Sequence, residues 1–188
     1  MGGRSTPRVA MLAAVLLSGI GRAVAAEKGP VVSVESHSGV YDVRGSFTTH
    51  APIATAWEVL TDYDKIPSYV SSMKESRVEG RSGDTLRVHQ VAVVTVLLFH
   101  RDATVTLAVT ESAPNRIEFV DMLGQDFLRY TGSWSLRTDA ASTEVSYTLR
   151  AHPRTGPSGW FSRGVMSRLT SDLLAKVRAE IERRAARR

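Results

Sequence analysis

The sequence contains no cysteine, and this absence removes several classes of protein at once. A fold held together by disulfides, a cysteine nucleophile, an iron–sulfur cluster and a cysteine-ligated zinc site are all excluded. Aromatic residues are few, at 7%, but hydrophobic residues reach 43% and charged residues 23%. These values are ordinary for a soluble globular chain with a core, and 188 residues suit one domain with a tail.

The excess of positive charge is confined to the two ends of the chain. The formal net charge is +5, but the first 25 residues contain three arginines and no acid. The segment from Trp160 to Arg188 contains eight bases and three acids, so the body between these ends carries about −3. A dedicated nucleic-acid-binding protein should show a basic face across its fold, and we therefore expect no nucleic-acid partner.

Long hydrophobic runs are also lacking. The apolar run Val9–Gly21 has 13 residues, fewer than the roughly 20 that a transmembrane helix needs. It follows the positively charged segment Met1–Arg8 and precedes the small-residue triplet Ala23-Val24-Ala25. This order is typical of a secretory signal peptide, so we predict that residues 1–25 are cleaved and that the protein is exported to the periplasm. An uncleaved N-terminal anchor is the alternative.

Patterns of hydrophobicity divide the rest of the chain into a lead-in and one domain. We interpret residues 26–39 as an N-terminal lead-in that includes at most a short strand at 31–34, and residues 40–186 as the domain. Alternation from Tyr41 to Phe47 predicts a half-buried strand, and helical spacing predicts two short helices, over 52–61 and around 66–70. Turn residues then separate six further strands, which we predict at 74–80, 84–99, 101–112, 115–123, 127–138 and 142–152.

The predicted strands share one apolar face, and the last segment of the domain forms a helix that covers it. Short connections between consecutive strands favour an antiparallel meander. Residues 160–186 show an apolar stripe at intervals of three or four, formed by Met166, Leu169, Leu173, Val177 and Ile181. The expected fold class is therefore α+β: a curved antiparallel sheet of about seven strands wrapped around a long C-terminal helix, with two short helices after the first strand.

The segment Val43–Met73 resembles the opening of the polyketide cyclase/dehydrase and coenzyme-Q-binding START-like family, part of the SRPBCC helix-grip superfamily. The most specific part of the resemblance is the run Ala56–Val70, AWEVLTDYDKIPSYV. Residues Gly132-Ser133-Trp134 and Tyr147 match in kind and position, so the resemblance covers about residues 40–183. It implies a helix-grip fold with a hydrophobic cavity whose ligands, across the superfamily, are lipids, quinones, sterols, polyketides and aromatic hormones.

The resemblance assigns no catalytic residue, because some members are cyclases or dehydratases, many only bind or carry, and no short catalytic signature spans the family. The five histidines are isolated in the sequence, and neither a nucleophile motif nor a phosphate loop is present, so we expect no metal site and no cofactor. The leading hypothesis is a carrier or binding protein for a lipid, quinone or isoprenoid-like molecule. A cyclase or dehydratase using the same cavity is the alternative, and a protein-interaction module is the third.

We expect the cavity to lie between the apolar sheet face and the helix stripe, with the short helices and residues 153–160 as its gate. The candidate lining residues, chosen by strand phase, aromatic character or position on the stripe, are Tyr41, Phe47, Trp57, Val105, Phe119, Asp121, Tyr130, Trp134, Tyr147, Met166, Leu169 and Leu173. For Asp121, a strand end in contact with solvent is the competing interpretation.

Three other features have competing interpretations. Asp62 and Asp64 are interpreted as helix caps, with an acid pair for proton transfer as the alternative. The stretch Val91–Phe99 is apolar on both faces, which indicates that its outer side is covered or that it contacts a membrane or partner. The basic end, Arg183–Arg188, is interpreted as a solvated helix end, with contact to anionic headgroups as the alternative.

Overall fold

The computed structural model describes residues 29–96, 98–139, 141–154 and 161–188. Eight strands form one antiparallel sheet: β1 (Val31–His37), β2 (Val40–Thr49), β3 (Met73–Ser82), β4 (Thr85–Val96), β5 (Phe99–Ser112), β6 (Arg116–Asp121), β7 (Phe127–Asp139) and β8 (Ser142–Pro153). The helices are α1 (Ile53–Thr61), a 3-10 helix (Tyr63–Ser68) and the long α2 (Arg163–Ala185). No helix in these described ranges is long and apolar enough to cross a membrane.

The sheet order is β1-β2-β8-β7-β6-β5-β4-β3, so β8 returns beside β2 and the strands between them follow as a meander. The alternating pattern of the sequence buries one side of the strands, which is why Val43, Val109, Ile117 and Val145 are each at most 2% exposed. Helix α2 lies across this buried side. The helix-grip fold inferred from the sequence is therefore confirmed.

The sheet has eight strands instead of about seven because the residues assigned to the lead-in form a full edge strand. Val32 and Val34 on β1 pack against the core. Ser38 at φ 49° and Gly39 at φ 78° make the two-residue turn into β2, a backbone shape that matches the twist of a hairpin. The Ser-Gly pair was the sequence signal for this turn.

Two local details differ from the sequence interpretation. The second short helix is a 3-10 helix that ends at Ser68, before the predicted 66–70 segment is complete. The side chains of Asp62 and Asp64 cap no helix. Asp62 pairs with Arg184 on α2 at 2.9 Å, and Asp64 accepts a hydrogen bond from the backbone N–H of Val78 at 2.9 Å. Both carboxylates therefore connect distant elements.

An irregularity in β7 changes which side chains face the core. The register with β8 shifts between Phe127 and Arg129, so Phe127 is buried at 4% exposure and Leu128 is turned outward at 55%. Strict alternation with Tyr130, Trp134 and Leu136 predicts that Leu128 lies on the covered face. The bulge thus gives the core an aromatic ring in place of a leucine.

Gly132 on β7 lets the core aromatics pack closely. A Cβ atom at this position would overlap the carbonyl oxygen of Thr148 and lie 2.6 Å from a ring carbon of Phe119. Gly132 pairs directly with Phe119 across the β6–β7 ladder. The absence of a side chain therefore lets the Phe119 ring lie over the backbone of β7.

Candidate ligand-binding cavity

Two adjoining hollows lie between the sheet and α2. The first hollow has a volume of about 130 Å³ and lies beside the N-terminal half of α2. The second hollow has a volume of about 100 Å³ and lies towards α1 and the 3-10 helix. Each is smaller than the roughly 300–1,000 Å³ of a typical small-molecule site, so the expected cavity is present as two compartments.

A shared wall, which we call the waist, separates the two hollows. Five residues line both compartments: Met73, Gln90, Tyr130, Tyr147 and Leu173. Two of these side chains are apolar and three carry hydrogen-bonding groups. Movement of waist side chains would therefore join the compartments into one larger cavity.

A row of aromatic rings follows the sheet side of both hollows. The ring centroids of Trp134 and Tyr147 are 4.6 Å apart. The ring centroid of Phe119 lies 6.3 Å from that of Tyr147 and 6.0 Å from that of Tyr130. Phe127 continues the row, with its ring centroid 4.9 Å from that of Tyr130. These separations are typical of favourable aromatic pairs, so the row is a firm apolar platform facing the helix.

The tyrosines around the hollows have raised pKa values, and burial is the largest cause for each. Burial raises the pKa of Tyr130, and it raises the pKa of Tyr147 well above its ordinary range. Burial also raises the pKa of Tyr63, whose hydroxyl donates to Glu111 at 2.7 Å, and that of Tyr69, whose hydroxyl donates to the Val59 carbonyl at 3.2 Å. All four phenols therefore remain protonated near neutral pH and act as hydrogen-bonding groups.

Eight of the twelve candidate residues line the hollows: Val105, Phe119, Tyr130, Trp134, Tyr147, Met166, Leu169 and Leu173. The sheet phase and the helix stripe identified these correctly as neighbours in space. Their contact with a ligand stays a prediction.

The other four candidates lie outside both hollows. Tyr41 is buried, and its hydroxyl donates to the carbonyl oxygen of Phe161. Phe47 belongs to the packed core, and Trp57 on α1 is half-buried against it. Asp121 ends β6, where its carboxylate accepts hydrogen bonds from the backbone N–H groups of Thr106 at 3.0 Å and Gly124 at 3.0 Å. Asp121 therefore organises the turn into β7, and the structure corrects the expectation that it points into the cavity.

Sequence reasoning missed several lining residues, and Gln90 is the most informative of them. Gln90 lies between Val88 and Ala92 on β4, in the phase that faces the cavity. Its Nε2 atom donates to Ser76 Oγ on β3 at 3.2 Å. A carboxamide on the inward phase of an apolar strand was a usable signal. The stretch Val91–Phe99 drew attention as an apolar run, and the polar residue beside it was overlooked.

Charged groups are absent from the described lining of both hollows, which also contains no histidine. The polar atoms available there are hydroxyls, one carboxamide and the indole N–H of Trp134. This chemistry suits recognition of an apolar molecule with few oxygen atoms.

The first hollow lies at the end of the sheet where α2 begins. An open depression there is lined by residues of the 3-10 helix exit, β4, β5 and α2, among them Ser72, Val93, His100 and Arg168. Ser72, Val93 and Leu169 also line the first hollow, so the depression adjoins that hollow, and we call the depression the mouth. Of the predicted gate segment 153–160, residues 155–160 lie outside the described residues.

The apolar stretch Val91–Phe99 divides into a covered part and an exposed part. Val91 and Val94, which point to opposite sides of β4 by alternation, are both buried, so the outer side is covered at this part of the strand. The N–H of Val93 donates to the Ser72 carbonyl at 2.7 Å and extends the pairing with the segment before β3. Leu98 and Phe99, at the hairpin between β4 and β5, are 90% and 68% exposed. Contact of this exposed part with a membrane or partner stays a prediction.

A protein-family model described as polyketide cyclase/dehydrase and lipid transport matches residues 41–186. No curated protein matches the chain significantly. The match covers α1, α2 and all strands except β1.

Solved structures share the fold at low sequence identity. TTHA0849 from Thermus thermophilus is 21% identical, with 78% of this chain and 97% of that chain covered and a TM-score of 0.63. The Zhui aromatase/cyclase from a Streptomyces species is 19% identical, with 77% and 95% covered and a TM-score of 0.64. A STAR-related lipid transfer protein from Xanthomonas axonopodis is 16% identical, with 82% and 94% covered and a TM-score of 0.67. These likenesses establish the architecture.

Proposed function

The chain belongs to the polyketide cyclase/dehydrase and lipid transport family, and we propose that it binds and carries a hydrophobic small molecule of lipid, quinone or isoprenoid type. The observation that carries the proposal is the pair of hollows between sheet and helix, lined by aliphatic and aromatic side chains. An apolar molecule gains about 25 cal/mol for each Å² removed from water, so such a lining supplies the main binding energy.

The composition of the lining favours binding over proton-transfer chemistry. A cyclase or dehydratase needs an acid or base in contact with substrate, with a pKa close to the working pH. The tyrosines at the waist have pKa values raised by burial, so their phenols stay protonated and are weak acids near neutral pH. Among the described lining residues, no carboxylate or imidazole supplies that role. These features support a carrier, and a measured turnover of a polyketide-like substrate would favour the enzyme instead.

The first test is to identify what the protein holds. Protein purified from its own host and examined by native mass spectrometry should carry an excess mass that organic extraction removes as an apolar molecule. As a matched control, Val105→Trp should remove this mass, because the indole would fill the first hollow. If the purified protein carries no ligand and also fails to bind an apolar fluorescent probe, the binding function is contradicted.

We further propose that the mouth of the first hollow contacts an anionic membrane surface when ligand enters or leaves. Exposed Leu98 and Phe99 lie at this end of the sheet, and so does Met122 at 54% exposure in the turn after β6. Basic Arg168 lies on the same side, with its guanidinium 2.6 Å from the Thr95 carbonyl oxygen. Apolar tips flanked by cationic side chains suit a bilayer that contains anionic lipid.

Vesicle binding tests this contact. The protein should sediment with phosphatidylglycerol-containing vesicles more than with pure phosphatidylcholine vesicles, and Phe99→Ser should reduce sedimentation several-fold. Val31→Ser is the matched control, because Val31 is 67% exposed on the edge strand β1, away from the mouth. Equal losses for both variants, or none for either, would contradict the proposed surface.

We also propose that the protein acts in the periplasm after cleavage of residues 1–25. The charged, apolar and small-residue order of this segment supports export. N-terminal sequencing of protein from a periplasmic extract should begin at Ala26 or within a few residues of it. Intact Met1 in a membrane fraction would contradict this proposal.

A further inference from the structure

The polar groups of the cavity are concentrated at one place. The waist contains the Gln90 carboxamide and the hydroxyls of Tyr130 and Tyr147, and these three groups border both hollows. Tyr63 and Tyr69, which line only the second hollow, already donate their hydroxyl hydrogens to Glu111 and to Val59. Outside the waist, Ser72 and Thr170 line the first hollow and Trp134 lines the second. The waist is therefore the place where hydrogen-bonding groups border both hollows at once.

The bonding capacity at the waist is only partly used by the protein. In the described parts of the chain, the bond to Ser76 is the single hydrogen bond of the Gln90 side chain, which leaves its second N–H and its carbonyl oxygen. The phenol hydroxyls of Tyr130 and Tyr147 each carry one donor hydrogen and two acceptor lone pairs. Both side chains border both hollows, and even two hydroxyls that bond to each other leave one O–H for a ligand oxygen.

The surfaces on either side of the waist are apolar. The first hollow continues along Val94, Ala103 and Val105, and the second continues along Leu107 and Val109. Because neither compartment has the size of a typical ligand site, a ligand of ordinary size must extend through the waist. The middle section of such a ligand displaces water from the side chains of Gln90, Tyr130 and Tyr147. Each of these polar groups that is left without a hydrogen bond weakens ligand binding.

We propose, as a refinement of the binding function above, that the waist selects ligands with a hydroxyl or carbonyl oxygen near the middle of an otherwise apolar skeleton. The oxygen would accept a hydrogen bond from the Tyr130 hydroxyl and from the Gln90 amide, while apolar arms occupy the two hollows. A plain hydrocarbon of the same length would leave these donors unsatisfied. An oxygen at the end of the skeleton would lie in one of the two hollows, away from the donors of the waist.

Matched eleven-carbon probes test this inference. Displacement of a bound apolar fluorescent probe by 6-undecanone, 2-undecanone and undecane compares a central oxygen, a terminal oxygen and none. We expect 6-undecanone to bind about fivefold or more tighter than undecane, since one satisfied hydrogen bond contributes roughly 1 kcal/mol, with 2-undecanone between them.

Two substitutions assign the effect to the waist. Tyr130→Phe and Gln90→Met should each reduce the preference for 6-undecanone over undecane while undecane binds as well as before. Tyr41→Phe is the matched control, because it removes a buried hydroxyl outside both hollows and should leave the preference unchanged.

The outcomes separate this inference from the binding function. Equal affinity for undecane and 6-undecanone, or a preference that survives both waist substitutions, would overturn the waist as a recognition site while binding itself stands. Failure of the protein to bind the dye and any of the three probes would overturn both.

Discussion

The two halves of α2 meet the rest of the protein in different ways. The N-terminal half, with Met166 and Leu169, faces the first hollow and reaches the exposed mouth. The C-terminal half is fully packed at Leu174 and Ile181, both 0% exposed, and ends in a group of ion pairs with α1. The contrast is between an N-terminal half that faces the mouth and a C-terminal half whose end is held by ion pairs. A hollow lies under each half, since Val177 lines the second one.

The ion pairs at the anchored end, which we call the clasp, explain the basic character of the C-terminus. Buried Glu180 accepts hydrogen bonds from Arg183 Nε and Arg184 Nε, each at 2.7 Å. Arg184 also reaches Asp62 at 2.9 Å, and Arg188 reaches Glu58 on α1. Most of this basic end is therefore paired with protein carboxylates at the end of the sheet opposite the mouth. Arg183, Arg187 and Arg188 are nevertheless exposed, so this end is solvated, as interpreted from the sequence, and is also held by ion pairs. Contact with anionic headgroups stays a prediction.

The largest expected effect on the free energy of unfolding is at Leu174 of α2, and its neighbour Leu173 provides the comparison. Leu174→Ala should lower the free energy of unfolding by about 3–4 kcal/mol, because it opens a cavity in fully packed core. Leu173 already borders both hollows. Leu173→Ala should therefore lower the free energy of unfolding by only about 1–2 kcal/mol, and it should enlarge the cavity. Urea unfolding of both variants measures the difference, and equal losses would show that the two faces of the helix are packed alike.

The second-largest effect on stability is expected at the clasp. Glu180→Gln should lower stability by about 1–3 kcal/mol at neutral pH, because three charge-assisted hydrogen bonds from Arg183 and Arg184 weaken at a buried site. Glu180→Gln should leave the affinity for an apolar probe unchanged if the two halves of α2 are independent. A loss of affinity equal to that caused by changes at the first hollow would show instead that the clasp shapes the cavity.

The clasp also predicts a pH dependence. The hydrogen bond from Arg183 holds the pKa of Glu180 below its ordinary value of 4.5. Because the folded pKa is the lower one, the stabilisation is fully present above pH 4.5 and is lost as the pH falls through the folded value. The stability difference between wild type and Glu180→Gln should therefore shrink below pH 4.5. A difference that stayed constant into that range would contradict the assignment.

A smaller effect is expected at the open end. Asp121→Asn should lower stability by about 1 kcal/mol, because the carboxylate accepts backbone N–H groups in the turn between β6 and β7. Ligand affinity should stay the same, since Asp121 lies outside both hollows. A selective loss of binding with unchanged stability would restore the sequence interpretation of Asp121 as a ligand contact.

The smallest effect is expected at the rim of the clasp. Glu58 and Arg188 form a pair whose side chains are 46% and 55% exposed, and solvent screens such pairs strongly. Glu58→Gln should therefore leave the urea midpoint unchanged within error. A loss comparable with that of Glu180→Gln would show that the clasp acts as one connected network.

The sequence predicted most of the strands because alternation with period two is a local property of the chain. The predicted segments 101–112 and 142–152 each fall within one or two residues of β5 and β8. The same reasoning allowed only a short strand at 31–34, whereas β1 extends to His37, because its full length is set by pairing with β2. It also misplaced Leu128, because a bulge depends on the partner strand and is not written in the alternation.

The candidate site was predictable to the extent that it follows from strand phase. Phase identified Phe119, Tyr130, Trp134 and Tyr147, which line the hollows. It also selected Phe47, which the tertiary structure packs into solid core. Phase distinguishes the two faces of a sheet, but it does not reveal where along a face the opposing helix leaves space.

The sequence by itself determined which segments form strands and helices and which face of each is apolar, because backbone geometry fixes these periodicities locally. It also carried the resemblance from which the family was inferred. The tertiary structure alone decided that the space under α2 is divided at Gln90, Tyr130 and Tyr147, and that Asp62 and Asp121 bond to other elements. The reason is physical: a void or a hydrogen bond depends on the positions of atoms from strands and helices that lie far apart along the chain.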